Sequence, residues 1–166
     1  SDFNARFNDE GSECMLNGLF MIGAEQLFDA HTMIDHAKPH CNSHEHYKGI
    51  LQDKSKGVFN GKVMVRQDAQ KTNAFQQNNT ILLSDEAVMN TKPQLEIFAD
   101  DVKCSHGATI GKLNDEAKFY LKSRGIGEDA ATAILIHAFA SDVITSIKIP
   151  VLRDYLEEII TKRYNQ

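Results

Sequence analysis

The sequence contains no tryptophan, only three prolines and only three cysteines in 166 residues. The cysteines are Cys14, Cys41 and Cys104; they are odd in number and form no Cys-x-x-Cys pair. A disulfide framework in a short secreted chain normally uses an even number of cysteines. We therefore expect three reduced thiols.

An excess of positive charge and a long apolar run are also missing. The formal net charge is −5, whereas a surface that binds nucleic acid needs concentrated basic side chains. No segment approaches the roughly 20 consecutive apolar residues that span a bilayer, and the first residues show no basic-then-apolar secretory signal. The sequence therefore predicts no nucleic-acid partner, no membrane contact and a cytoplasmic location.

An initiator methionine is absent as well. The chain opens with Ser1-Asp2-Phe3-Asn4, which is typical of the interior of a longer sequence. We expect a C-terminal fragment that lacks an upstream region. With 42% hydrophobic and 25% charged residues, the fragment still has the composition of an ordinary globular protein with a buried core.

Short apolar clusters rich in strand-forming residues fill the sequence up to about Gly111. None is long enough for a normal helix, and Asn60-Gly61, Asn78-Asn79 and Lys92-Pro93 between them predict turns. Several gaps are shorter than the roughly 8–12 residues that separate strands in hairpin-built sandwiches. The spacing therefore favours a parallel β-helix over a sandwich or a barrel, although no strict repeat is visible.

In the last third the apolar spacing becomes helical. Asn114 is expected to cap a first helix that ends near Gly125. A second helix is predicted over residues 128–147, and Pro150 suits the first turn of a third. The apolar stripes predicted for the second and third helices comprise Ala131, Ile134, Leu135, Ala138, Phe139 and Val143, and Val151, Leu152, Tyr155, Leu156, Ile159 and Ile160, respectively. The predicted fold class is mainly β with an α tail: residues 1–112 form a parallel β-helix core, and residues 113–166 form a three-helix subdomain.

Potential metal ligands are densest between His31 and His46, where five of the seven histidines stand with Cys41 and two carboxylates. Imidazole and thiolate are good ligands for zinc or iron. The spacings match no established zinc signature, however, and histidines in polar segments are more often solvated than metal-bound. We therefore predict no metal site, and a histidine-rich metal-binding protein is retained as an alternative.

A second candidate is the Cys-x-His pair formed by Cys104 and His106. Two residues apart on a strand, they would share one face, and a neighbouring histidine can favour the reactive thiolate. A single Cys-x-His is weak evidence by itself, and its spacing alone favours a structural role, with Cys104 as a small buried apolar residue and His106 hydrogen-bonded to a turn carbonyl. No Gly-x-Ser-x-Gly or His-Glu-x-x-His motif accompanies the pair, so no enzyme activity is predicted.

Residues 91–111 read Thr-Lys-Pro-Gln-Leu-Glu-Ile-Phe-Ala-Asp-Asp-Val-Lys-Cys-Ser-His-Gly-Ala-Thr-Ile-Gly. This stretch resembles the signature of the SufB/SufD family of iron–sulfur cluster assembly scaffold proteins. The resemblance continues through residues 119–126 and is also visible at residues 41–43 and 58–61, so that it extends from about His40 to Phe139. The Cys-Ser-His-Gly form is similar to the SufD branch of the family.

The resemblance implies a right-handed parallel β-helix followed by a C-terminal helical subdomain. It also implies a non-catalytic scaffold that pairs with SufB through the β-helix ends. His106 would be the family's candidate for cluster assembly at that interface, with Cys104 as a weaker one. No firmly bound cofactor is expected, only transient iron or a transient iron–sulfur cluster at the interface with SufB.

The same resemblance implies that the helical tail docks the ATPase SufC. The corresponding region comprises Tyr120, Arg124, Gly125, Ile126 and the helix that follows. An open β-helix end exposes unpaired backbone groups, so we also expect the isolated fragment to form a homodimer.

A carbohydrate-active β-helix enzyme is the remaining alternative. That class would be expected to carry a row of carboxylates along one face, and only the pair Asp100-Asp101 suggests one.

Overall fold

The structure is a computed structural model that describes residues 1–164. It divides into two compact units, Ser1–Ile110 and Gly111–Gln166. The first unit is built from parallel strands and the second from helices.

The first unit is a β-solenoid of about four turns, as the sequence predicted. Each turn contributes one strand to each of two parallel sheets, whose orders are β1-β3-β5-β7 and β2-β4-β6-β8. The strands are β1 (Asp2–Phe7), β2 (Glu13–Ile22), β3 (Leu27–His36), β4 (Asn42–Leu51), β5 (Lys56–Val65), β6 (Asn73–Leu82), β7 (Val88–Ile97) and β8 (Lys103–Gly111).

Successive turns stack with their strands in parallel register, because each turn has nearly the same length. Asn42 of β4 pairs with Asn73 of β6, and Leu27 of β3 pairs with Lys56 of β5. The repeat is close to 30 residues: the side chain of Asn79 reaches Thr109, 30 residues further along the chain. A residue in one turn therefore has its equivalent directly above or below it in the next.

The interior of the solenoid is filled by every second residue of each strand. In β5 this alternation is complete: Gly57, Phe59, Gly61, Val63 and Val65 are buried and the residues between them are not. Such a period of two is the geometry of a strand with one face turned to a core. One apolar cluster of the solenoid comprises Phe20, Ala30, Leu51, Phe59, Ala87 and Met89; another comprises Val63, Val65, Ala69, Ala74 and Ala99.

The turns predicted from asparagine, glycine and proline were placed wrongly. Asn60-Gly61, Asn78-Asn79 and Lys92-Pro93 all lie inside ten-residue strands. Each turn of the solenoid stacks on its neighbours and forms strand hydrogen bonds with them. Residues with a weak intrinsic preference for strands therefore adopt strand conformation here. Gly61 is required there, because a Cβ atom would collide with Gln76 and Phe59. Pro93 is tolerated because β7 is the edge strand of its sheet.

The real turns recur at equivalent positions and use left-handed backbone angles. Gly11, His40 and Lys71 have φ values of 70°, 58° and 61°. The N–H groups of His40 and Lys71 donate to carbonyl groups of the following turn, at 2.9 and 2.7 Å. At another turn, Ala24 (φ 50°) and Asp53 (φ 56°) repeat the conformation, and the Ala24 N–H donates to the Asp53 carboxylate at 2.7 Å.

In its described part, up to residue 164, the second unit contains three helices, as predicted: α1 (Asp115–Ser123), α2 (Glu128–Thr145) and α3 (Pro150–Tyr164). The side chain of Asn114 caps α1 by accepting a hydrogen bond from the Ala117 N–H at 2.9 Å. Gly125, with φ 86°, follows its end. Among the described residues, no helix is both long and apolar enough to cross a bilayer.

The predicted apolar stripe of α2 was wrong in part. Ile134 and Ala138 are exposed, whereas Ala133, Ile136 and Ala140 are buried. This helix is apolar on almost every side, so spacing alone could not identify the buried face. In α3 only Ile160 of the predicted stripe is buried. Its exposed members are Val151, Leu152, Tyr155 and Ile159.

Candidate functional site

Cys104 and His106 lie on β8, the last strand of its sheet. Alternation along the strand turns both side chains toward the interior face of the solenoid. Cys104 is half-buried and packs against the apolar cluster that contains Val63 and Val65. His106 is exposed, because no further turn of the chain covers β8 in the described structure. The terminal strand therefore presents a histidine at an open end of the solenoid.

The thiol of Cys104 is not activated in this setting. Burial raises its pKa above the usual value, and a backbone hydrogen bond with Ala74 offsets the effect only in part. His106 is not among the groups that shift this pKa, so it does not favour the Cys104 thiolate in this structure. Cys104 is better suited to hold the strand against the core than to act as a nucleophile.

Large apolar side chains surround the same end of the solenoid. Ile97, Phe98 and Ile110 lie on or beside the last strand of each sheet and are exposed, with Phe98 exposed by 62%. Exposed apolar groups next to unpaired strand edges are typical of surfaces that are covered by another chain.

A set of polar side chains inside the solenoid was missed by the sequence reasoning. Glu45 and Gln76 are each only 2% exposed, and the Gln76 amide donates to the Glu45 carboxylate at 2.7 Å. Burial raises the pKa of Glu45, although hydrogen bonding opposes the shift. The sequence contained one indication of this pair. Inward and outward positions alternate along β4, and Glu45 occupies an inward position between Ser43 and Tyr47. Knowing that the position faces inward required the strand register.

The histidines between His31 and His46 are spread over β3, the turn that follows it and β4. They do different things: His36 is fully buried and shares a hydrogen bond of 2.8 Å with Ser43, whereas exposed His44 stacks on Phe75. Within residues 1–164, no three His, Cys, Asp or Glu side chains are grouped so that they could hold a metal ion. The three cysteines are free thiols, as predicted.

The expected ATPase-binding residues lie at the end of α1. Tyr120 is exposed, and the Arg124 guanidinium lies over its ring, 5.4 Å from the centroid. Nearby, the carboxylate of Glu128 accepts hydrogen bonds or ion pairs from Lys118 and Lys122 at 2.9 Å each. These two lysines lower the pKa of Glu128 to about 2. These two ion pairs join α1 to the first turn of α2 across the segment that contains Gly125 and Ile126.

The amino-acid sequence is similar to a described protein family over most of its length. Residues 1–139 match the family model described as SUF system FeS cluster assembly, SufBD core domain. The chain therefore belongs to the SufBD family of iron–sulfur cluster assembly proteins.

Three relatives show how far the similarity extends. The iron–sulfur cluster assembly protein SufD of Escherichia coli (strain K12) is 43% identical over 145 residues, covering 87% of this chain and 34% of the relative. The SufBD family protein slr0076 of Synechocystis sp. is 39% identical over 155 residues, covering 93% and 34%. The chloroplastic protein ABCI7 of Arabidopsis thaliana is 42% identical over 140 residues, covering 84% and 30%. The chain thus spans about a third of the length of these relatives.

Proposed function

We propose that this chain is part of a non-catalytic scaffold subunit that works in the cytoplasm in iron–sulfur cluster assembly. Its solenoid would pair with a SufB-type subunit, and its helical unit would dock a SufC-type ATPase. The observation that carries the proposal is the position of the family's Cys-Ser-His-Gly motif on β8, the strand that ends the solenoid.

The open end of the solenoid supports pairing with another β-helix. β7 and β8 are each hydrogen-bonded to a described strand on one side only. A partner strand could satisfy the free edges and cover Ile97, Phe98 and Ile110. His106 would then lie within the interface, where an imidazole could hold transient iron or a nascent cluster together with groups of the partner. Cys104 would serve as a secondary candidate beside it.

The helical unit supports docking of a second partner. Phe119 and Tyr120 of α1 are exposed, as are Val151 and Tyr155 of α3. Surface aromatic and aliphatic side chains of this kind are the usual anchors of protein interfaces. Tyr120 and the adjacent Arg124 would be the principal contacts with the ATPase, while Gly125 and Ile126 shape the connection into α2.

The test is co-purification with cognate SufB-type and SufC-type proteins, followed by cluster reconstitution. We expect His106→Ala to bind both partners normally but to lose most of the cluster assembly. The matched control is His44→Ala, which removes another exposed histidine of the same sheet and should assemble clusters like the wild type. Wild-type chain that binds neither partner would contradict the scaffold proposal, and normal assembly by His106→Ala would remove His106 from the site.

The open edge also leads us to propose that the chain alone forms a homodimer. Sedimentation velocity over a range of concentrations measures this directly. Phe98→Asp, which places a charge at the proposed edge contact, should shift the equilibrium to monomer, whereas Leu27→Asp at an exposed position of the internal strand β3 should not. A monomeric wild type at all concentrations would argue against this edge as a self-pairing surface.

A further inference from the structure

The interior polar side chains form part of a column that runs along the solenoid. Glu45 of β4 is the register partner of Gln76 of β6. Both are inward-facing and buried, and the Gln76 Nε2 atom donates to Glu45 Oε2 at 2.7 Å. The hydrogen bond therefore runs from one turn to the equivalent position of the turn before it.

The backbone hydrogen bonds extend this register to β8. In the pair β4–β6, the Asn73 N–H donates to the carbonyl of Cys41, and Asn73 is the partner of Asn42. In the same way, the Lys103 N–H donates to the carbonyl of Thr72 at 2.9 Å. By that relation Lys103 is the partner of Asn73.

Three residues further along both strands, the partner of Gln76 is His106. The hydrogen bond of 2.7 Å between Asn79 and Thr109 confirms the alignment, because these residues lie three further on again. The column inside the solenoid thus reads Glu45, Gln76, His106 in consecutive turns. It joins a buried carboxylate to the exposed histidine of the candidate site.

The middle member of this column has a free acceptor. The Oε1 atom of Gln76 is buried and has no hydrogen-bond partner among the described residues. A buried amide oxygen without a partner has lost its hydrogen bond to water and gains none in return, so it favours any donor within reach. Neighbouring parallel strands lie about 4.8 Å apart, so an imidazole at the partner position can reach that oxygen by a change of rotamer. His106 has room for such a change because it is exposed.

We propose that Gln76 and Glu45 are positioning residues for His106. One ring N–H of His106 donates to Gln76 Oε1, and the Gln76 amide donates in turn to Glu45. This arrangement selects one tautomer and turns the other ring nitrogen, as an acceptor, toward the open end of the solenoid. Histidines that bind metals commonly anchor their second nitrogen in this way. The inference rests on the proposed function only for what the exposed nitrogen would bind.

Nuclear magnetic resonance of the ¹⁵N-labelled histidine rings tests the arrangement in the full chain. His106→Gln identifies the signals of the His106 ring by their loss. We expect the wild type to show about a tenfold preference for one tautomer, the ratio that one hydrogen bond of ordinary strength supports. Gln76→Leu should abolish that preference, and Gln76→Asn, which keeps a polar group but is too short to reach, should do the same.

Two further variants sharpen the result. Glu45→Gln retains an acceptor for the Gln76 amide and should retain most of the preference. Thr80→Val removes a buried hydroxyl from the same strand, outside the column, and should leave the His106 signals unchanged. A folded Gln76→Asn protein with wild-type His106 signals would overturn the proposal, as would a wild type without any tautomer preference.

The spectroscopic result is independent of cluster assembly. If the tautomer preference depends on Gln76 while His106→Ala assembles clusters normally, the positioning stands and the proposed role of His106 fails. If His106→Ala loses assembly but the ring is insensitive to Gln76, the role stands and the positioning fails.

Discussion

Acid should destabilise this protein through a single buried imidazole. His36 at the end of β3 is 0% exposed. Its ring shares a hydrogen bond of 2.8 Å with Ser43 and meets the edge of the Phe7 ring with centroids 4.6 Å apart. Burial lowers its pKa from 6.5 to about 4, against a weaker opposing effect of the neighbouring Asp35 carboxylate. The folded chain therefore holds this ring neutral.

The sign of the effect follows from proton linkage. Between pH 6.5 and about 4 the unfolded chain binds a proton at this position and the folded chain does not. The stabilising contribution is complete above pH 6.5 and is lost as the pH falls toward 4. At about 1.4 kcal/mol for each pH unit, the whole loss is about 3 kcal/mol. A loss of that size is a large part of the stability of an ordinary domain.

The assay is urea unfolding followed by circular dichroism at several pH values between 7 and 4, since the chain contains no tryptophan for fluorescence. His36→Gln keeps a hydrogen-bonding side chain but cannot titrate in this range. We expect the unfolding free energy of the wild type, measured relative to that of His36→Gln, to fall by about 3 kcal/mol as the pH is lowered from 6.5 to about 4. The pKa of Glu45 is raised, so protonation of Glu45 makes the folded chain more stable as the pH falls. Both proteins contain Glu45, and the comparison between them therefore cancels this effect.

The matched control is His44→Gln, because His44 is exposed on β4, the next strand along the chain. It should retain the pH dependence of the wild type. If wild type and His36→Gln lose stability in parallel on acidification, His36 is not held neutral by burial and the reasoning is wrong.

Three other substitutions have predictable effects on the unfolding midpoint in urea. Asp35→Asn should cost about 2 kcal/mol, because buried Asp35 accepts two hydrogen bonds of 2.8 Å from Arg66. That contact lowers the pKa of Asp35 from 3.8, so the loss should be complete above pH 3.8 and should disappear as the pH falls from there through the lowered pKa of the folded chain. Gly18→Ala should cost about 1–3 kcal/mol by overpacking, because a Cβ atom would collide with the Tyr47 ring; a cost that Tyr47→Leu does not relieve would count against this explanation. Ala24→Gly should instead stabilise the chain by about 0.5 kcal/mol. Ala24 has a left-handed φ of 50°, and glycine removes the energetic cost of that conformation, which exceeds the cost of the extra conformational entropy that glycine gives the unfolded chain. A decrease in stability would contradict that balance.

The sequence could predict features that depend on neighbouring residues. The cap at Asn114, the glycine that follows α1 and the proline that opens α3 all act within one helical turn, and each was found where it was expected. The family motif around His106 was equally visible, because it is a continuous run of residues. The strand containing Cys104 and His106 is short and lies within that run.

Other features depended on residues about 30 positions away. The sequence alone placed turns at Asn60-Gly61 and Asn78-Asn79, because it could not show that stacked turns hold those residues in strands. It also could not identify the buried face of α2, since a helix that is apolar on most sides acquires its inner face only when its neighbours pack against it.

The sequence by itself thus determined the class of fold, the family and the identity of the exposed histidine, because local pattern and a contiguous motif carry that information. Only the tertiary structure decided which side chains stand beside that histidine. Parallel stacking brings Glu45 and Gln76 into one column with His106 and buries them. Their roles depend on strand register, and register is set by the packing of whole turns on one another.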